Sequence, residues 1–167
     1  MIKKETELLN EMKSKYNFEG KIKRKRRISI SIDRNNLSKF LHELKNRGFI
    51  HLSSISVTDW LDEGNYEITY HLWSYDDKIL LTVKTKISRD KPNIQSVTSI
   101  WEENAQIHER ELHELYGVKF KNNTDLSPLF LEDWRGPPPF RKDFNWREYV
   151  KENYYDKNNK RETVYYD

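Results

Sequence analysis

The chain has 167 residues, a formal net charge of +3 and a pI near 8.9. Basic and acidic residues nearly cancel, so the global field is weak and no polyanionic partner is forced. The absence of cysteine excludes disulfides, thiolate metal sites, Fe–S clusters and cysteine nucleophiles in this chain, while 13% aromatic content excludes a disordered chain.

Ile2, Leu9, Met12 and Tyr16 fall on one stripe, which predicts an amphipathic helix over 2–15. Gly20 and the basic run Lys21 to Arg27 follow, leading into Ile28-Ser29-Ile30-Ser31-Ile32, whose alternation predicts a half-buried strand. Asp33 to Asn36 offer helix caps. Leu37, Phe40, Leu41 and Leu44 then make a helical stripe, which Gly48 ends. Strand signals recur over 49–59, 66–73 and 79–87, separated by turn residues at 62–65 and 75–78, so these three predict an antiparallel meander. Val97 to Ile100 lead into a helix from about Trp101 to Tyr116, with Gly117 at its C-cap. The order predicts an α+β fold with helices on one face of a mostly antiparallel sheet. An α+β domain over 1–117 is expected, then an extended docking arm over 118–150 and a polar tail over 151–167. Pro128 and Pro137 to Pro139 break helical continuity in the arm and favour polyproline geometry.

His108-Glu109-Arg110-Glu111-Leu112-His113 superficially resembles a zinc-protease helix, but two histidine ligands need i,i+4 spacing. A separation of five splays the side chains by roughly 140° at 3.6 residues per turn. The same segment makes sense as a capped amphipathic helix with Trp101, Ala105, His108, Leu112 and Leu115 inward. On such a helix Glu109 reaches His113 and Arg110 reaches Glu114. No nucleophile–base pair, phosphate loop or metal cluster is visible, so the chain is expected to have no active site of its own. The run 21–27 is read as a solvated strand edge whose Lys and Arg block edge pairing. The alternative is a stand-alone basic nucleic-acid-binding module using the same residues, although no aromatics interleave with them. Pro137-Pro138-Pro139-Phe140 lacks P-x-x-P spacing. The arm therefore reads as a rigid strap carrying Phe130, Trp134, Phe140 and Phe144, packed on its own domain, on a partner, or on both.

The Glu109-Arg110-Glu111 helix with Leu115-Tyr116-Gly117 resembles the signature of the complex I 30-kDa subunit family of the NADH–quinone oxidoreductases. Glu132-Asp133-Trp134 and Arg141-Lys142-Asp143 are similar to its second block, and Thr58-Asp59 and Tyr70-His71-Leu72 to its central strands. Asn123 to Pro128 replaces the family's His-Pro-Asp-Leu-Arg-Arg stretch. Gly136 to Phe144 looks more like relatives in membrane-bound [NiFe] hydrogenase-type complexes. The resemblance implies a non-catalytic peripheral-arm subunit of an ion-translocating redox complex, scaffolding the catalytic large subunit on the cytoplasmic face of the membrane. It implies no cofactor in this chain, with Fe–S clusters and a NiFe centre expected in partner subunits. The implied partners are a hydrogenase-like large subunit and a cluster-bearing small subunit, with no direct nucleic acid and membrane contact only through partners. The implied subunit-interface residues are Glu109, Arg110, Glu111, Tyr116, Gly117, Asp133, Trp134, Pro138, Phe140, Arg141, Lys142 and Asp143, none catalytic and none binding metal.

Overall fold

A computed structural model describes residues 3–131 and 133–155. The expectations for Ile2, for Glu132 and for the tail beyond Tyr155 lie outside these residues.

Two hairpin-linked strands, β1 (Phe18–Arg24) and β2 (Arg27–Ile32), follow helix α1 (Lys3–Lys15). Helix α2 (Arg34–Asn46) leads to the meander β3 (His51–Trp60), β4 (Asn65–Ser74) and β5 (Ile79–Ser88). The sheet order is β1-β2-β5-β4-β3, antiparallel throughout except where β2 lies parallel to β5. The fold is thus α+β with a mostly antiparallel sheet, as the alternation of apolar residues implies. Sequence periodicity missed β1 because Gly20 interrupts its inward positions and the run of charged residues masks the rest, leaving Ile22 as its clearest inward signal. Lys21 and Lys23 do lie on an edge strand.

Asp33 caps α2 by accepting the Asn35 N–H at 2.8 Å. Leu37, Phe40, Leu41 and Leu44 then enter the core together. Gly48 takes φ +93°, which lets the chain reverse into β3. One sheet face is buried through Ile28, Ile30, Ile68, Tyr70, Leu72, Leu81 and Val83. The hydroxyls of Ser29, Ser31 and Thr82 share the opposite face with Lys84, because adjacent strand residues point oppositely.

Helix α3 (Thr98–Tyr116) starts earlier than expected and contains a kink at Trp101 and Glu102, where Glu102 has φ +22°. Its inward stripe also differs. Glu109 is fully buried, whereas His108 and Leu115 are half-buried. Two short strands flank the helix, β6 (Asn93–Gln95) and β7 (Lys119–Lys121), and pair in parallel. Three residues are too few to show a period, so the pair was invisible in the sequence. Helix α4 (Trp146–Asn153) closes the described chain, and Asn145 caps it by accepting the Glu148 N–H. No described helix is long and apolar enough to cross a membrane.

Phe40 is fully buried and meets Tyr16 and Phe18 edge-on at centroid separations of 5.2 and 5.4 Å. Phe40→Ala should therefore lower the unfolding free energy by about 3–5 kcal/mol, read from the urea midpoint.

Candidate functional site

The chain beyond β7 returns over α3 as a strap, and side chains of α3 hold its first half. Glu114 accepts N–H bonds from Leu129, Phe130 and Leu131 at 3.3, 3.0 and 2.8 Å. One carboxylate thereby fills a cup of successive backbone donors, the usual geometry for an anion. Arg110 donates to the carbonyls of Ser127 and Pro128 at 3.1 and 2.8 Å. Glu109 accepts from the Val97 N–H at 2.7 Å and from Asn123 Nδ2 at 2.8 Å. The expected i,i+4 pairs give way to these bonds, which satisfy backbone donors and carbonyls of the bent loop. His113 likewise turns to the Val118 carbonyl, at 2.8 Å from Nδ1.

Asn123, Asp125 and Ser127 form a self-supporting link. Asn123 Oδ1 accepts the Asp125 N–H, and Asp125 Oδ1 accepts the Ser127 N–H. This gives the altered stretch after the signature helix a definite task, since Asn123 also satisfies the buried Glu109.

An ion network fastens the second half of the strap to the sheet. Arg89, just beyond β5, is only 7% exposed and lies 2.7 Å from Asp59 of β3 and 2.8 Å from Asp143 of the strap. Arg141 pairs with Asp143 at 3.0 Å, and the Lys142 N–H donates to Asp59 at 3.0 Å. Arg141, then Arg89, holds the Asp143 carboxyl well below the usual carboxylate range. Arg89 also stands over the Tyr66 ring at 5.4 Å. Tyr66 donates its hydroxyl to the Tyr116 carbonyl at 3.2 Å, and the Phe140 N–H donates to Leu115 O at 2.9 Å.

Trp134 donates Nε1–H to the Pro137 carbonyl and stacks on Tyr154 at 6.0 Å, with Phe144 and Tyr149 against it. The Asp133 carbonyl accepts from the Tyr154 hydroxyl. The proline run thus bends into an aromatic cluster on which α4 sits. Pro138 lies over Gly117, so that a β-carbon at Gly117 would come within 2.9 Å of the proline ring.

Between α3, the strap and α4 lies an open groove of about 740 Å³ whose floor includes Leu115, Leu131, Pro139, Val150 and Tyr154. Phe130 and Phe140 project from it at 63% and 55% exposure, and Glu111 stands at its border. An apolar surface with a charged border has the anatomy of a protein interface. The structure therefore separates the sequence-nominated residues. Glu109, Arg110, Gly117, Pro138, Arg141, Lys142 and Asp143 fix the strap, Trp134 both braces it and lines the groove, and Glu111 and Phe140 line the groove, with Tyr116 under Phe140 at 5.9 Å. Sequence reasoning missed Arg89 and Asp59 as anchors because charges near strand ends ordinarily face solvent. It also missed the groove contributions of Trp146, Val150 and Tyr154, which depend on α4. Among the described residues, no three His, Asp or Glu side chains gather as a metal site.

A family model described as "Respiratory-chain NADH dehydrogenase, 30 Kd subunit" matches residues 30–150. The corresponding F(420)H(2) dehydrogenase subunit of Methanosarcina mazei is 40% identical over 71% of this chain and 75% of its own length. The corresponding NADH-quinone oxidoreductase subunit of Moorella thermoacetica is 36% identical over 61% of this chain and 69% of its own. A chain of the membrane-bound sulfane sulfur reductase, an archaeal respiratory membrane complex, superposes with a TM-score of 0.82 at 32% identity, covering 93% of this chain and 97% of that one. A trypsin-resistant fragment of Nqo5 shares the fold, with a TM-score of 0.63 at 22% identity, covering 72% of this chain and 98% of the fragment.

Two outcomes test the anchors. Gly117 and Gly64 both have positive φ, +76° and +66°, but only Gly117 has a neighbour in the way. Gly117→Ala should cost about 1 kcal/mol or more beyond Gly64→Ala in chemical denaturation, since both share the backbone strain of about 1 kcal/mol. Burial raises the Glu109 pKa above 4.5 despite the bonds from Val97, Asn123 and Ser96. A raised folded-state pKa means that this group's stabilising contribution is full below 4.5 and is lost as pH rises through the folded value. The stability difference between wild type and Glu109→Gln should therefore fall as pH rises from 4.5 through the folded value and then level off. A pH-independent difference would show that burial does not govern Glu109.

Proposed function

Because the chain belongs to the respiratory-chain NADH dehydrogenase 30-kDa subunit family, we propose that it is a non-catalytic scaffold subunit of a membrane-bound, ion-translocating redox complex. It sits in the peripheral arm on the cytoplasmic face of the membrane and reaches the membrane only through other subunits. Its groove receives the catalytic, hydrogenase-like large subunit, and a cluster-bearing small subunit completes the local assembly. Fe–S clusters and a NiFe-type centre reside in those partners.

The observation that carries this reading is the groove itself. Phe130 and Phe140 stand more than half exposed on a backbone held from below by Glu114 and by the Leu115 carbonyl. Large apolar rings on a prefixed backbone dock with little further loss of conformational freedom. Glu111 supplies the polar rim. Similarity to subunits of F(420)H(2) dehydrogenase and of an archaeal sulfane sulfur reductase complex supports placing the chain in a respiratory membrane assembly. Arg110 and Glu109 serve that interface indirectly, by fixing the loop that presents Phe130.

Purification of the tagged chain from its native membranes should bring a hydrogenase-like large subunit and a small Fe–S subunit with it. Phe140→Asp should reduce recovery of the large subunit about tenfold or more, the scale expected for a central aromatic anchor, while the thermal midpoint of the isolated chain stays near wild type. Recovery of the chain alone, or full recovery of the complex with Phe140→Asp, would contradict the proposal.

A further inference from the structure

The hairpin joining β1 and β2 carries the densest charge of the chain, since every residue from Lys21 to Arg27 except Ile22 is basic. Among the described residues, none of these cations forms an ion pair, whereas Lys4, Lys15, Arg47, Lys84, Lys86 and Arg89 each have a carboxylate partner. The hairpin cations are therefore available at the edge of the sheet.

The turn itself is built rigidly. Arg26 adopts φ +62°, a conformation for which glycine is the low-cost residue. Two bonds hold it there. Its N–H donates to the buried Glu5 carboxylate of α1 at 2.8 Å, and its carbonyl accepts from the Leu80 N–H at 3.0 Å. An arginine kept in a glycine conformation, with its backbone clamped and its guanidinium unpaired, points to charge presentation rather than to turn formation.

Lys21 and Lys23 project from β1 onto the open sheet face, where they border a shallow trough with Ser29, Ser31 and Lys84. The register aligns Lys21 with Ser29 and Ser31 with Lys84. Lys21 crowds Lys23 closely enough to lower its affinity for a proton. Cations held together with adjacent hydroxyl donors make a receptor for carboxylates.

We propose that this edge and trough dock an extended, acidic segment of a partner protein, on a surface separate from the strap groove. A peptide fits the chemistry better than other polyanions do. Glu67 pairs with Lys84, but Glu19 also lines the trough and would repel a continuous phosphodiester or a uniformly anionic sheet of headgroups, whereas a peptide can space its carboxylates around it. Among the described residues, no aromatic ring lines the trough to stack a base. The sole apolar residue of the run, Ile22, packs against the core and is not free to enter a bilayer.

The test uses fluorescence anisotropy of the full-length protein with a fluorescein-labelled peptide of alternating Glu and Ser, titrated at several salt concentrations. Saturable binding that weakens with salt is expected, and Lys21→Glu with Lys23→Glu should weaken it about tenfold or more. Lys119→Glu with Lys121→Glu, placed on the exposed positions of β7, should leave it within about twofold, and thermal midpoints verify folding of both variants. No binding of the peptide, equal loss in the two variants, or tighter binding of a single-stranded oligonucleotide or of phosphatidylserine vesicles would overturn the proposal. Because the strap is untouched, failure here leaves the membrane co-purification outcome independent.

Discussion

Arg89 brings a permanent positive charge to a place that solvent scarcely reaches, and the second half of the strap is arranged around neutralising it. Asp59 supplies one negative charge from the sheet, and Asp143 supplies the other from a residue 54 positions away in sequence. Removing Asp59, itself buried, would leave a buried cation short of its partner, and losing one member of such a pair costs several kcal/mol, whereas the partly exposed Asp143 contributes less because solvent screens it. The closed position of the strap is therefore the one in which Arg89 is satisfied. The Lys142 N–H adds a backbone bond to the same Asp59, so the attachment constrains the main chain as well as the side chains.

The signature helix acts on the same logic from the other side. Its acidic and basic residues look like a solvated face in sequence, yet Glu114, Arg110 and Glu109 turn to the backbone and amide groups of the returning loop. With those groups satisfied from below, the loop can expose Phe130 and Phe140 to the outside. A chain that packed the same rings inward would bury more apolar area in isolation and have less to offer a partner. The groove thus exists because charged residues carry the internal attachment and aromatic residues are left over for contact.

The sheet was readable wherever side chains alternate. Ile28 to Ile32 and the three meander strands declare an inward face through period two, and the structure places those residues inward. Strand β1 was hidden because its exposed positions belong to a charged run and its inward ones include Gly20. The short parallel pair β6 and β7 had no period to show. The strap was legible as a strap, from its prolines and aromatics, but its anchors were not. Arg89 and Asp59 become partners only through the meander register, which sets the end of β5 beside β4 and β4 beside β3. Glu109 misled for a related reason, since a glutamate on a helix is ordinarily solvated. The one hint was Asn123 at the start of the stretch that replaces the family's basic one, a short amide able to satisfy a buried carboxylate.

The strap is already fastened before any partner arrives. Hydrogen–deuterium exchange on the isolated protein tests it most directly, through the amides of Leu129, Phe130, Leu131 and Lys142, which the structure bonds to Glu114 and Asp59. The account predicts slow exchange at all four in wild type. In Arg89→Leu it predicts faster exchange at Lys142, while the amides of β4 and β5 stay protected. Exchange of the strap amides at open-chain rates in the wild-type protein would contradict it, and would mean that the partner, not this chain, closes the strap.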